Sequence, residues 1–170
     1  HGIKRDINRS NNKSSPWYYE QTCLGFNYRM TDIQAALGIS QLKKIDNFVK
    51  KRNQISAKYH DLLSHMDVQL PYRNENYYSA QHLFVIRIKP DKIGRKHQEV
   101  FNYLRKRNIG VNLHYIPIYK QPFYNSMGYK EIDFPESESY YSEAITLPMF
   151  PRLKNEEIRY IASTLEKALK

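Results

Sequence analysis

Cysteine and tryptophan each occur once in these 170 residues, and glycine only six times. One thiol, Cys23, excludes an internal disulfide, and no Cys/His cluster has zinc spacing, so the fold must rest on its core. A half-buried structural thiol is the expected role for Cys23. No apolar run approaches the ~20 residues that span a bilayer, and no signal-peptide pattern is present, so the expectation is a cytoplasmic protein without membrane attachment. G-x-G-x-x-G, P-loop and G-x-S-x-G patterns are absent, which removes the usual sequence signatures of nucleotide binding and serine hydrolysis. His60 and His65 are five apart and His97 stands alone, so no helical i, i+4 metal pair exists. Acid is scarce too: 17 Asp+Glu face 27 Lys+Arg, for a formal net charge of +10.

That basic balance can signal a polyanionic partner. The cations are dispersed, however, in clusters no longer than Lys50-Lys51-Arg52 and Arg105-Lys106-Arg107. They read as solvated helix faces, and nucleic acid is the weaker expectation. With 41% hydrophobic and 26% charged residues, the chain has enough apolar material for a globular core. Fifteen tyrosines against seven phenylalanines suit half-exposed aromatics at interfaces and polar ligand sites.

Along the chain, residues 4–25 read as an irregular crossing segment. Asn11 to Pro16 is its most loop-like part, and Trp17, Tyr18 and Tyr19 form an aromatic cluster. From Thr31 to about Ser64, apolar residues recur at Ile33, Leu37, Leu42, Ile45, Phe48-Val49, Ile55, Tyr59 and Leu62-Leu63. This imperfect stripe predicts one long amphipathic helix of ~50 Å, suited to bridging domains or docking on a second body. Leu83–Ile88 is strand-like and ends before Pro90. Residues 95–108 read as a helix stopped by Gly110, Val111–His114 as a short strand, and the stretch from about Asn155, a candidate cap, to Leu169 as a closing helix. Together these elements predict an α+β layer with a small sheet packed by helices.

The most informative segment is Gly25-Phe26-Asn27-Tyr28-Arg29-Met30-Thr31-Asp32-Ile33-Gln34-Ala35-Ala36-Leu37-Gly38. Thr31 and Gln34 have capping-box spacing, which starts the helix at this point. Asn27 and Arg29 then sit just outside a stiff element, as an amide and a guanidinium able to grip an anion. A second constellation is Val111-Asn112-Leu113-His114-Tyr115-Ile116-Pro117-Ile118-Tyr119, where a histidine beside a proline-fixed turn could bond a sugar or diphosphate. A third, Ser142-Glu143-Ala144-Ile145-Thr146-Leu147-Pro148-Met149-Phe150-Pro151, reads as a structural strand end and turn. Lys120, in a polar loop, shows no sign of the depressed basicity a Schiff-base lysine needs.

The fourteen-residue segment closely resembles the DegT/StrS-type PLP-dependent nucleotide-sugar aminotransferases, and the His114 and Leu147 segments resemble that family's later motifs. The resemblance covers the chain and implies the C-terminal small domain of a fold-type-I aminotransferase. The implied divisions are a crossing segment at 1–30, a bridging helix at 31–64 and a small α+β domain at 65–170. It implies pyridoxal 5'-phosphate (PLP) as cofactor and a homodimer. Asn27 would reach the PLP phosphate of the neighbouring subunit, Arg29 would lie at the sugar-nucleotide site, and His114 and Tyr115 would border the substrate. Within the family, the chain is most similar to 4-aminotransferases of pseudaminic acid biosynthesis, which use a UDP-linked 4-keto-6-deoxy-N-acetylhexosamine and glutamate. The chain starts at His1 rather than methionine. The resemblance places the Schiff-base lysine upstream, so no catalytic residue is expected in this chain and no activity from it alone. A stand-alone basic module that holds a nucleotide sugar or nucleic acid without catalysis is the alternative reading, and a subunit-interface piece folded only against a missing half is a third.

Overall fold

A computed structural model describes residues 1–4, 18–74 and 76–170. The expected loop at Asn11 to Pro16, and Trp17 of the aromatic cluster, lie outside the described residues. The chain divides into two compact units, His1–Lys44 and Ile45–Lys170.

In the first unit, β1 (Ile3–Lys4) pairs antiparallel with β2 (Glu20–Gln21), in the register Ile3 opposite Gln21. The Thr22 amide extends the pairing by donating to the Gly2 carbonyl at 2.8 Å. The backbones approach here closely enough to demand glycine. Gly2 has φ +68°, and a Cβ on it would lie 1.9 Å from the Cys23 carbonyl oxygen. A Cβ on Gly25 would lie 2.6 Å from the Gly2 nitrogen. Helix α1 (Asp32–Leu42) follows, and its capping box is reciprocal as the sequence predicts. The Gln34 amide donates to Thr31 Oγ1 at 3.3 Å, and the Thr31 amide to Gln34 Oε1 at 2.9 Å.

The second unit opens with α2 (Ile45–Leu63). In place of one helix over 31–64 there are therefore two, separated by Lys43 and Lys44. The Lys44 amide turns back to the Gln41 carbonyl at 3.0 Å, an i→i−3 bond that tightens and ends α1. Neither Pro nor Gly marks this break. The boundary between units falls at the same point, inside the 31–64 span. The rest of the unit comprises β3 (Val68–Gln69), β4 (Phe84–Ile88), α3 (Pro90–Ile93), α4 (His97–Arg105), α5 (Pro122–Asn125), α6 (Pro135–Glu143), β5 (Ala144–Leu147) and α7 (Asn155–Leu169).

Strands β3, β4 and β5 form an antiparallel sheet in that order, with Ile86 opposite Ile145 and Val85 opposite Thr146. Alternation sends Phe84, Ile86, Ile88, Ile145 and Leu147 to one face. There they join Ile55, Tyr59 and Leu63 of α2, Val100 and Leu104 of α4, and Ile158, Ile161 and Leu165 of α7 in one core. Tyr59 is fully buried, with its ring 4.8 Å from Phe84 and its hydroxyl donating to the Pro148 carbonyl at 2.9 Å. Arg52 is not the solvated cation its basic cluster suggests. Its Nη1 donates to the carbonyls of His82 and Met149, both at 3.0 Å, and so pins two loops to α2.

Two helix ends differ from the sequence expectation. After α4, the left-handed residue is Asn108 (φ 59°), with the Ile109 amide reaching back to the Leu104 carbonyl at 3.1 Å; Gly110 is not the stop. Asparagine tolerates this conformation better than other non-glycine residues. The cap of α7 is Lys154 rather than Asn155, and its amide donates to Glu157 Oε2 at 2.7 Å.

Candidate functional site

The sequence-predicted residues fall in both units: Asn27 and Arg29 in the first, His114 and Tyr115 in the second. Asn27 and Arg29 lie between two fixed points. On one side is the Gly2–Gly25 close approach, and on the other the Thr31 cap. Both side chains are exposed, and neither bonds another group among the described residues. A tethered loop with free donors is what an anion site requires, because the donors need not break internal bonds to bind. Arg29 lines an open cavity of about 670 Å³ with His1, Gly2, Ile3, Tyr19, Thr22 and Cys23. Cys23, expected to be half-buried, is exposed.

Apolar side chains accompany these donors into solvent. Phe26 and Tyr28 are more than four-fifths exposed, as is Ile33 on α1, and α1 buries none of its residues.

His114 is set more firmly. The Asn112 amide donates to the Thr146 carbonyl at 3.1 Å, and the Thr146 amide to the Asn112 carbonyl at 2.8 Å, which lays residues 111–114 beside β5. His114 Nδ1 is 2.8 Å from Thr146 Oγ1, and the Tyr140 hydroxyl of α6 donates to the His114 carbonyl at 3.3 Å. Tyr115 packs edge-on to the His114 ring at 4.7 Å but is otherwise exposed. The His114–Tyr115 peptide bond is cis. His114 is held by Thr146 and Tyr140, whereas Tyr115 is a loosely held neighbour.

The segment after it is strapped down. The Tyr119 ring stacks on Phe134 at 4.4 Å, and its hydroxyl donates to Glu138 Oε1 at 2.6 Å. Lys120 Nζ bridges Glu131 at 2.5 Å and Glu138 at 3.0 Å. Hydrogen bonds to those carboxylates raise the Lys120 amine above the ordinary lysine range. That is the opposite of what an imine-forming amine needs, so the sequence reading of Lys120 stands. The hydrogen bond from Tyr119, more than that from Lys120, holds the Glu138 carboxyl below its usual range.

Sequence reasoning missed Thr146. Ile145 and Leu147 enter the core, so Ala144 and Thr146 must face the other side of the sheet. There Arg87 pairs with Glu143 at 2.9 Å. A hydroxyl between two core residues of a strand was the available sign that this face carries polar work. The sequence reading took the whole segment as structural.

Comparison with known proteins bears on the family and the fold. Residues 1–166 match the model of the DegT/DnrJ/EryC1/StrS aminotransferase family. The spore coat polysaccharide biosynthesis protein SpsC of Bacillus subtilis is 30% identical over 173 residues, covering 100% of this chain and 44% of that protein. The UDP-4-amino-4,6-dideoxy-N-acetyl-beta-L-altrosamine transaminase of Campylobacter jejuni is 30% identical over 154 residues, covering 90% of this chain and 40% of that enzyme. The putative sugar aminotransferase Spr1654 of Streptococcus pneumoniae, solved in its PMP form, superposes with a TM-score of 0.85 at 25% identity, covering 99% of this chain and 40% of that one. The chain spans less than half the length of these relatives. No helix among the described residues is long and apolar enough to cross a membrane. With nearly every residue inside the family match and the α+β fold shared with a solved sugar aminotransferase, the chain belongs to the DegT/DnrJ/EryC1/StrS aminotransferase family.

Proposed function

We propose that this chain is the C-terminal portion of a PLP-dependent aminotransferase. The enzyme moves an amino group from glutamate to the 4-keto carbon of a UDP-linked 4-keto-6-deoxy sugar, in surface-glycan biosynthesis of the pseudaminic acid type. The observation that carries the reading is the tethered loop at 25–30, which presents the Asn27 amide and the Arg29 guanidinium without internal partners. Relatives named for polysaccharide biosynthesis and for a UDP-amino-sugar transaminase support the substrate class.

The donor set suits a phosphorylated cofactor. An amide N–H₂ and a guanidinium are both donors, and phosphate oxygens are acceptors. Asn27 would hold the PLP phosphate of a neighbouring subunit, and Arg29 the sugar nucleotide. When bound, PLP supplies the electron sink for amino transfer. His114 and Tyr115 would border the sugar, with His114 fixed by Thr146 and Tyr140 and the following residues held by the Lys120 strap. The exposed apolar residues around Phe26 and on α1 would be covered by the rest of the enzyme and its dimer partner. The chain supplies no Schiff-base lysine, so it is inactive alone.

Two measurements test this. Incubation of the 170-residue chain with PLP, borohydride reduction and intact-mass analysis should give no stoichiometric adduct; one adduct on a single lysine would overturn the assignment. The complete enzyme should aminate UDP-linked 4-keto-6-deoxy-N-acetylhexosamines in preference to 3-keto nucleotide sugars. The reverse preference would overturn the substrate reading.

A further inference from the structure

We infer that Thr146 is a positioning residue that makes His114 a hydrogen-bond donor through Nε2, and so selects an acceptor oxygen of the substrate at that position. The inference rests on the reading that His114 faces the nucleotide sugar.

The position of one proton decides what His114 can bind. Thr146 is 5% exposed, and its hydroxyl has a single partner among the described residues, His114 Nδ1 at 2.8 Å. A neutral imidazole carries its hydrogen on one nitrogen and accepts through the other. If Nδ1 carried it, Thr146 Oγ1 could accept, but the threonine's own hydrogen would be buried without an acceptor, and a buried unpaired donor is costly. If the threonine hydrogen points at Nδ1, both groups are satisfied and the imidazole hydrogen sits on Nε2. The paired arrangement is the stable one.

The strand pairing keeps Thr146 beside the ring, and the 2.8 Å contact with Nδ1 orients its hydroxyl. Thr146 is locked on one edge to Asn112 and on the other to Val85 across from it in β4. The ring is confined in turn by Tyr115 edge-on and by the Tyr140 bond to its carbonyl. Nε2 is left neither buried nor bonded among the described residues. It presents an N–H outward. A group so oriented binds a diphosphate, carbonyl or sugar hydroxyl oxygen and does not accept a proton from substrate. His114 is therefore assigned to binding rather than to general-base work.

The test uses the complete enzyme labelled with 15N-histidine, with the His114 signal assigned through a His114→Gln variant and the tautomer read by long-range 1H–15N or magic-angle-spinning spectra. Wild type should show the Nε2–H form. Thr146→Val, nearly the same shape without the hydroxyl, should shift His114 toward the Nδ1–H form, and Thr146→Ser should restore Nε2–H. In parallel, KM for the nucleotide sugar should rise about tenfold in Thr146→Val, with kcat little changed and recovery in Thr146→Ser. An Nδ1–H form in wild type, or a tautomer that ignores Thr146→Val, overturns the inference. A tautomer that switches while KM stays fixed supports the positioning role and instead overturns the reading that His114 faces substrate.

Discussion

Replacing Gly25 with alanine should damage the Asn27–Arg29 site without touching either side chain. The added Cβ would lie 2.6 Å from the Gly2 nitrogen and 2.7 Å from the His1 carbonyl carbon. Both are backbone atoms, so no flexible side-chain tip can swing aside. Relief requires His1–Gly2 to move away, which stretches the 2.8 Å bond from the Thr22 amide to the Gly2 carbonyl. Overpacking of this kind costs about 1–3 kcal/mol. If that strain is released by displacing the loop when ligand is absent, it reappears as weakened binding, by roughly 5- to 150-fold. The assay is PLP affinity of the complete enzyme by fluorescence titration, with KM for the nucleotide sugar alongside. Gly38→Ala serves as the control. Nothing lies within 4 Å of that position, so the change should raise the helix content of the isolated chain. Unaltered PLP affinity and KM in Gly25→Ala would refute the claim that the close approach holds the loop.

Three further outcomes follow from the second unit and from α1. Tyr59→Phe leaves the Pro148 carbonyl without its 2.9 Å partner and should destabilise the fold by about 1–2 kcal/mol in urea melts, against no change if water replaces the hydroxyl. Burial first, and then Arg73, hold the His60 imidazole below the ordinary histidine range, with Asp61 opposing. The unfolded chain therefore takes up a proton before the fold does, so stability should fall as pH drops through about 6.5 and below. His60→Gln should flatten that slope, and an equally steep slope in the variant would contradict the assignment. Ile33, Leu37 and Leu42 are each more than three-fifths exposed, and full burial of one such side chain is worth ~1.5–3 kcal/mol. The isolated chain should self-associate in sedimentation or bind an apolar dye, and a monomer that binds none would count against a covered face.

What the sequence made legible was whatever is local. The Thr31–Gln34 spacing located the start of α1 because a capping box is completed within four residues, and Leu83–Ile88 was readable because a run of β-forming residues ends just before Pro90. The break at Lys43–Lys44 was not readable. No residue there opposes helix formation, and the tightening of the last turn shows only in backbone hydrogen bonds. Asn108 took the left-handed position two residues before the glycine that sequence rules favour. Of the site, Asn27 and Arg29 were visible because they adjoin that cap. The role of Thr146 was hidden because it depends on a pairing between β5 and residues 111–114, more than thirty positions apart.

The central claim is that Asn27 and Arg29 serve the cofactor and substrate of a neighbouring subunit, and mixed dimers test it most directly. One copy of the enzyme carries Asn27→Ala and Arg29→Ala, and the other a replacement of the cofactor-binding lysine that the proposal assigns to the rest of the enzyme. Each parent should be inactive as a homodimer, since a lost charge-assisted bond is worth roughly 1.5–3 kcal/mol and the lysine is indispensable. In the mixed dimer, one site pairs an intact lysine with an intact loop, and activity should return to about half that of wild type per dimer. Confirmed heterodimers with no more activity than the parents would contradict the account.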